Sequence, residues 1–266
     1  MFSYHNHSVF SDGTRSPEQM IIAAVNAGLT EVGLSDHYTV RPGFRPSEWS
    51  MTPEKLGEYF GLLKRLRELY RSDIIVRSGV ETDCFPETMD AVYREIMSYS
   101  PDYIIGSVHY YGDFPIDECA ENWQRLSPDE ANGIIEGYWK QMRVLASDGR
   151  VNIVGHLDLY KKFGSFGTAD FSALIKEALE AVRDKGLAME INTSGLYKPA
   201  GEFYPSFSLI KQAAEMEIPM LVSADAHYPS HLKRSFSDAL RLLQSLGVTR
   251  LAGFENCRLV MRDIDY

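Results

Sequence analysis

The stretch "SYHNHSVFSDG" at residues 3–13, followed by "SPEQMIIAAVNAG" at residues 16–28, forms the first strand–helix unit of the chain. In a β-strand, residues i and i+2 point to the same face, so His5 and His7 would project together from the end of an opening strand. Ser16 has the position and chemistry of an N-cap for the helix that follows. A lone pair of histidines could also be solvated surface residues, and the rest of the sequence decides between these interpretations.

Strand-length apolar runs alternate with helix-length amphipathic stretches along the whole chain, a pattern typical of βα units around a parallel sheet. The predicted strands lie near 2–7, 30–35, 74–80, 103–108, 151–155, 188–192 and 219–223. The predicted helices lie near 16–28, 52–71, 127–147, 170–186, 206–217 and 231–246. Residues 1–266 show no linker-like segment and are predicted to form a single domain. Two long insertions, after the second and fourth strands, are expected to be functional.

The composition excludes several classes of protein. The chain has 266 residues, of which 44% are hydrophobic and 24% charged, as in an ordinary globular protein. No apolar run is long enough for a membrane span and no leader sequence is recognisable, so we expect a cytoplasmic protein without a membrane partner. Cys84, Cys119 and Cys257 are too widely spaced for a thiolate zinc site. The net charge of −10 argues against a nucleic-acid partner.

Histidines and acids concentrate where the predicted strands end. Six of the seven histidines, all except His231, lie at or just beyond the carboxyl end of a strand. Three carboxylates share this placement or lie in the adjoining loop. The set comprises His5, His7, Asp12, His37, Glu81, His109, His156, Asp225 and His227. In a parallel α/β barrel these ends open on one face, so the side chains would converge in a metal site.

This donor set indicates more than one metal ion. A catalytic zinc needs about three protein ligands, and the set exceeds that number. Imidazole and carboxylate donors without a thiolate favour zinc, manganese or iron, and the sequence does not distinguish among them. Two or three divalent cations would outweigh the local carboxylates, which would let an acidic protein bind an anionic substrate.

The ordered segments "HNHSVFSDG", "SDH", "GVETD", "GSVHY", "GHLDL" and "SADAH" resemble the PHP (polymerase and histidinol phosphatase) superfamily of metal-dependent phosphoesterases. The segments "GHLDLYKKFG" and "EINTSGL" resemble more narrowly its histidinol-phosphatase branch. The resemblance implies an α/β fold, a distorted seven-stranded (β/α) TIM-like barrel of the PHP type. It also implies hydrolysis of a small phosphorylated substrate, L-histidinol phosphate, to L-histidinol and phosphate in histidine biosynthesis.

The resemblance further implies roles for individual residues around three divalent ions. His5, His7 and Asp225 would bind the first ion, His109 and His156 the second, and Asp12, His37 and His227 the third, with Glu81 bridging the first two. Glu81, Asp12, Asp225 and His227 would be catalytic. The substrate contacts expected are Lys161, Lys162, Tyr160, Tyr110 and Asn192. In "DLYKK", a lysine would contact the phosphate where relatives use an arginine. A lysine provides a point charge, whereas an arginine can donate two parallel hydrogen bonds.

Two alternatives remain open from the sequence. The first is another phosphoesterase of the same fold that acts on nucleotides or on nucleic-acid 3′ ends. That activity would require a basic groove with stacking aromatic side chains, and the loops lack a stripe of Arg and Lys. The second is a metal-binding protein without turnover. The oligomeric state is not predicted.

Overall fold

The computed structural model describes residues 1–264, and thirteen strands occur in that range. In chain order they are β1 (Phe2–Ser3), β2 (Glu31–Leu34), β3 (Val40–Arg41), β4 (Arg45–Pro46), β5 (Ile75–Asp83), β6 (Tyr103–Ser107), β7 (Tyr110–Tyr111), β8 (Phe114–Pro115), β9 (Ile153–Val154), β10 (Ala188–Asn192), β11 (Met220–Ser223), β12 (Arg250–Glu255) and β13 (Arg258–Asp263). Seven of them form one parallel sheet in the order β1-β2-β5-β6-β9-β10-β11.

The first and last strands of this sheet nearly close it into a barrel. Just beyond β1 and β11, Asn6 and Ala226 form an isolated parallel bridge. The amide of His7 donates to the Ala226 carbonyl over 2.9 Å, and the Ala226 amide donates to the His5 carbonyl over 3.1 Å. The predicted seven-stranded, distorted α/β barrel is therefore confirmed.

Helices connect the strands and cover the outside of the barrel. They are α1 (Pro17–Asn26), α2 (Pro53–Leu69), α3 (Met89–Met97), α4 (Ala120–Gln124), α5 (Pro128–Asp148), α6 (Ser172–Asp184), α7 (Phe207–Glu215) and α8 (Phe236–Ser245). Ser16 caps α1 as expected, and its side chain and that of Gln19 form a reciprocal capping box. None of the helices in the described range is both long and apolar enough to cross a lipid bilayer.

All seven predicted barrel strands are present, but several local expectations are wrong. The first strand ends at Ser3 and not at residue 7, because beyond Ser3 the pairing continues only as the isolated bridge between Asn6 and Ala226. The last predicted helix begins at Phe236, since Pro229–His231 forms a separate 3₁₀ turn. Helices α3 and α4 and the hairpin β12–β13 were not predicted.

The two ends of the barrel differ in what covers them. At the amino ends of the strands, the hairpin β12–β13 packs against the barrel, and buried Glu31 pairs with Arg77 over 2.8 Å and with Arg262 over 2.5 Å. At the carboxyl ends, the two long insertions form the small hairpins β3–β4 and β7–β8. Asp113 joins these hairpins through ion pairs to two arginines of β3–β4. The carboxyl-end face is nevertheless the open one, because a cleft lined by residues that follow the barrel strands opens there.

Candidate metal centre

The open face of the barrel brings together every side chain of the predicted metal set. His5 and His7 follow β1, His37 follows β2, and Glu81 lies within β5. The other histidines and Asp225 come from the segments after β6, β9 and β11, while Asp12 comes from the loop before α1. Parallel strands place all these ends on one face, so the barrel itself explains the convergence.

Glu81 lies at the centre of the cluster. Its Oε2 is 2.9 Å from His5 Nε2 and 3.1 Å from His37 Nδ1. Its Oε1 is 3.0 Å from His156 Nε2 and accepts a hydrogen bond from Ser107 Oγ over 2.5 Å. Because one carboxylate contacts imidazoles from different strands, it has the geometry to bridge neighbouring cations.

Asp12 and Asp225 extend the cluster toward solvent. Asp225 Oδ1 is 3.2 Å from His7 Nε2, and Asp12 Oδ2 is 3.0 Å from His227 Nε2. Four groups of side chains could each hold an ion, because the donor atoms inside each group all lie within 4.8 Å of one another. The groups are His7, Asp12, His37 and His227; His5, Glu81 and His156; His5, His7 and Asp225; and His37, Glu81 and His109. Atoms that share one ion at about 2.0–2.2 Å lie roughly 3–4 Å apart. The carboxylate–imidazole distances within these groups, from 2.9 to 3.8 Å, are close to that range.

Buried donor atoms without hydrogen bonds support the same interpretation. Within residues 1–264, both ring nitrogens of His7 and Nδ1 of His37 are buried and lack a hydrogen-bond partner. Leaving such polar atoms unpaired in the interior costs free energy. A divalent cation would satisfy these nitrogens and balance the nearby carboxylates, so the donor set fits a divalent metal centre.

The carboxylates of the cluster remain ionised. Burial by itself would raise the pKa of Glu81, but the surrounding imidazoles, chiefly those of His5 and His37, hold that pKa well below its usual range. Burial likewise opposes the shifts of Asp225 and Asp12, whose pKa values are lowered by neighbouring histidines. Anionic oxygen ligands are therefore present across the physiological pH range.

The histidines of the cluster divide into two kinds. Burial lowers the pKa of His37 to about 3, so this imidazole is neutral. Burial acts in the same direction on His109 and His227, but carboxylates raise their pKa values to about 10 and about 9. Because a histidine ligand must be neutral, metal binding at the latter two would release protons.

Two buried carboxylates that the sequence analysis missed orient the histidines. Glu190 Oε1 accepts from His5 Nδ1 over 2.5 Å, and its Oε2 accepts from the His156 amide over 2.7 Å. Asp83 accepts from the amide and Nδ1 of His109 over 2.7 and 3.1 Å. Such contacts fix which ring nitrogen faces a metal. The signal in the sequence was a glutamate within the apolar strand "AMEIN".

We expect Glu190→Gln to weaken metal binding about 10- to 100-fold, a typical effect of losing a carboxylate that orients a histidine ligand. The amide removes the charge that favours the Nδ1–H form of His5. Metal affinity measured by competition with a chromophoric chelator checks this. Ser223→Ala removes one hydroxyl donor to Glu190 and leaves the His5 contact in place, so it should change the affinity much less. Equal affinity of Glu190→Gln and the parent would contradict the orienting role.

A cleft of about 510 Å³ opens over the cluster. Among the expected substrate contacts, Tyr110 and Lys162 line this cleft. Lys162 Nζ is also held by Asp117, at 2.7 Å from its carbonyl and 2.9 Å from its carboxylate. His231, the one histidine placed outside the set by its sequence position, lies on the rim of the cleft as well.

The other three expected substrate contacts do not reach the cleft. The Lys161 ammonium is bound by the Phe203 carbonyl at 2.9 Å and by Asp158 at 3.0 Å, and Lys161 is not among the residues that line the cleft. Tyr160 packs on Tyr138 and on a neighbouring tryptophan. Asn192 is buried and accepts from the Ser194 amide while donating to Glu190. In the structure, the contacts of these three side chains are with other residues of the chain, and their role toward a substrate stays a prediction.

Two cations that sequence reasoning missed line the cleft instead. Lys198 and Arg234 have no ion pair anywhere in the described range, and Arg234 stacks on Tyr197 with its guanidinium carbon 3.9 Å from the ring centre. Burial, and then the charges of Lys162 and Arg234, lower the pKa of Lys198. Lys162, Lys198 and Arg234 all line the cleft, and the charges of the other two act on Lys198; we call these three residues the cationic corner.

A parallel α/β barrel with a cluster of imidazoles and carboxylates at its carboxyl ends defines a metal-binding barrel protein. More particularly, the chain belongs to the PHP domain family, whose family model matches residues 3–194. The family resemblance noted in the sequence is thus confirmed.

Proteins that are similar to this chain in sequence are named as histidinol-phosphatases. A probable histidinol-phosphatase of Deinococcus radiodurans is 34% identical over 237 residues, covering 88% of each chain. A histidinol-phosphatase of Lactococcus lactis is 27% identical and covers 96% of this chain and 95% of its own. The crystal structure of a histidinol phosphate phosphatase from Lactococcus lactis, complexed with zinc, L-histidinol and phosphate, superposes with a TM-score of 0.82. At 24% identity, this match covers 97% of this chain and 98% of that one.

Proposed function

We propose that the protein is a metal-dependent phosphomonoesterase that converts L-histidinol phosphate and water to L-histidinol and phosphate. The observation that carries this proposal is the position of Glu81, buried among imidazoles from different strands beneath an open cleft. A cluster of this kind has the donors for several divalent ions. The names of the relatives support the particular substrate.

We assign the donors to three ions. His5, His7 and Asp225 hold the first, and His109 and His156 hold the second. Asp12, His37 and His227 hold the third, and Glu81 bridges the first two. When bound, closely spaced divalent ions activate water near neutral pH and stabilise the charge of an in-line displacement at phosphorus. Zinc, manganese and iron all suit these ligands.

The residues of the chain hold the substrate around this centre. The cationic corner formed by Lys162, Lys198 and Arg234 binds the phosphoryl oxygens, since guanidinium and ammonium groups make charge-assisted hydrogen bonds to phosphate. Of the three, Lys198 and Arg234 have no carboxylate partner in the described range, so they are available to an anion. The stacked pair Trp49 and Tyr110 forms an aromatic wall where an imidazole can pack. The volume of the cleft is that of a small-molecule site.

The experiment that tests the proposal is a phosphate-release assay over a small panel, with metal content measured on the same preparation. The panel contains histidinol phosphate, a nucleoside monophosphate, phosphotyrosine and a short oligonucleotide with a 3′-phosphate. We expect kcat/KM to be at least about 100-fold higher for histidinol phosphate than for the other compounds. A preference for a nucleotide or an oligonucleotide would favour the alternative phosphoesterase, and release from none of them would favour a metal-binding protein without turnover.

We expect Arg234→Ala to reduce kcat/KM for histidinol phosphate by at least about tenfold, mainly through KM, while metal content stays at the parent level. The reason is that its guanidinium lines the cleft with an unpartnered Nε and no ion pair among residues 1–264. A loss of tenfold corresponds to about 1.4 kcal/mol. Steady-state kinetics with inhibition by inorganic phosphate measure the effect, and Lys176→Ala on the exposed face of α6 is the control. Unchanged phosphate inhibition would remove Arg234 from the binding site.

A further inference from the structure

Asp36, next to the metal-set residue His37, is a buried carboxylate without a cation. It is fully buried, and within residues 1–264 it forms no ion pair with lysine or arginine. Burying an anion without a cationic partner is costly unless hydrogen bonds compensate it. Its compensation comes from one short segment, residues 8–13, which we call the serine turn.

Two serines of the serine turn donate four hydrogen bonds to Asp36. Ser8 donates from its amide to Oδ1 over 2.8 Å and from its hydroxyl to Oδ2 over 2.8 Å. Ser11 donates from its amide over 3.1 Å and from its hydroxyl over 2.7 Å, both to Oδ1. One carboxylate therefore fixes the backbone at both ends of a four-residue stretch.

Two further contacts restrict the backbone conformation of the serine turn. The Gly13 amide donates to the Ser8 carbonyl over 2.9 Å, which closes the turn. A Cβ at Gly13 would lie 2.4 Å from the His7 carbonyl oxygen, so a residue without a side chain is required there. The turn is thus packed directly on the segment that carries His5 and His7.

Asp12 depends on this turn for its position. Its side chain is 36% exposed, and within residues 1–264 its ion-pair contacts are with imidazoles only: 3.0 Å to His227 and 3.8 Å to both His7 and His37. Among the described residues, the Asp12 carboxylate is therefore held only by histidines of the cluster. The backbone on its amino side, at Ser11, is held by Asp36.

We propose that Asp36 is a positioning residue that places the Asp12 carboxylate at the metal centre by fixing the backbone of the serine turn. This inference rests on the metal centre of the proposed function, in which Asp12 belongs to the third ion. Asp36 touches neither substrate nor metal in this role. Its contribution is to hold Asp12 in place before an ion arrives, which lowers the ordering cost of binding.

The test compares Asp36→Asn with the parent protein by metal titration and by amide hydrogen exchange of the metal-free protein. Asparagine has one acceptor oxygen, so it cannot accept from both the Ser8 hydroxyl and the donors at Oδ1. We expect the weakest metal site to lose affinity by at least about tenfold, and the amides of Ser8 and Ser11 to exchange faster. Parent-like metal affinity would overturn the proposal.

The matched control is Asp102→Asn. Asp102 is also a buried aspartate that accepts from the amide and hydroxyl of one serine, Ser78, over 2.8 and 3.2 Å, but it lies at the opposite end of the barrel. We expect this variant to lower the melting temperature and to keep the metal affinity of the parent. If it weakened metal binding as much as Asp36→Asn does, the effect would be one of global stability and the proposal would be wrong.

If Asp36→Asn does not fold, Ser11→Ala provides the decisive variant. It removes the hydroxyl bond and keeps the amide bond, so we expect a loss of metal affinity of about fivefold. Unchanged affinity in Ser11→Ala would then overturn the proposal. These titrations use metal alone, so their results do not depend on whether the parent protein hydrolyses histidinol phosphate. Failure of the phosphatase assay can therefore be told apart from failure of this inference.

Discussion

Glu81→Gln is expected to reduce phosphate release by at least about a thousandfold, or roughly 4 kcal/mol, and to lower the metal content of the purified protein. The amide keeps the shape of the side chain but removes the charge that faces imidazoles at 2.9, 3.0 and 3.1 Å. Without that charge, the side chain could no longer act as the proposed bridging ligand of two cations. Elemental analysis and turnover measured on one preparation check both consequences.

Glu136→Gln on the exposed side of α5 is the control for this variant. Glu136 is half exposed and pairs with Lys140 one helical turn away, so its loss should change neither metal content nor turnover. If Glu81→Gln keeps the metal content and turnover of the parent, Glu81 is not a bridging ligand. If it keeps metal but loses turnover, Glu81 acts on the reaction and not on metal retention.

Removal of metal is expected to abolish hydrolysis and to lower the melting temperature by about 5–10 °C relative to protein with saturating metal. A ligand at 100 times its dissociation constant stabilises the folded state by about 2.7 kcal/mol. Each kcal/mol shifts the melting temperature of a chain of this size by about 2–4 °C. The unpaired buried nitrogens of His7 and His37 are the groups that gain partners.

Differential scanning calorimetry with chelator, and then with zinc, manganese or iron restored singly, measures this effect. The metal that restores both turnover and the melting temperature at the lowest concentration is the best match to the site. Magnesium is the control ion, because it prefers oxygen ligands and retains its water. A melting temperature independent of every transition metal would contradict a metal centre at this cluster.

The sequence by itself determined the order of the barrel strands along the chain and the histidines and carboxylates that lie at their carboxyl ends. Both follow from local information, since strand-length apolar runs and the residues that terminate them are adjacent in the chain. His5, His37 and His156 are far apart in sequence, yet each lies within three residues of the end of a strand. Parallel packing then places all strand ends on one face. The donors could therefore be chosen without coordinates, as could the family.

Only the tertiary structure decided which polar residues face one another across the barrel. Lys161 and Lys162 are adjacent in one 3₁₀ turn and its cap. Lys161 binds Asp158 and is not among the residues that line the cleft, whereas Lys162 does line it. Lys198 and Arg234 have no local pattern that marks them. Glu190 stands out within "AMEIN", but the sequence does not reveal its partner His5, which lies on another strand end. The direction of a side chain depends on contacts distant in sequence, and those contacts exist only after the barrel has closed.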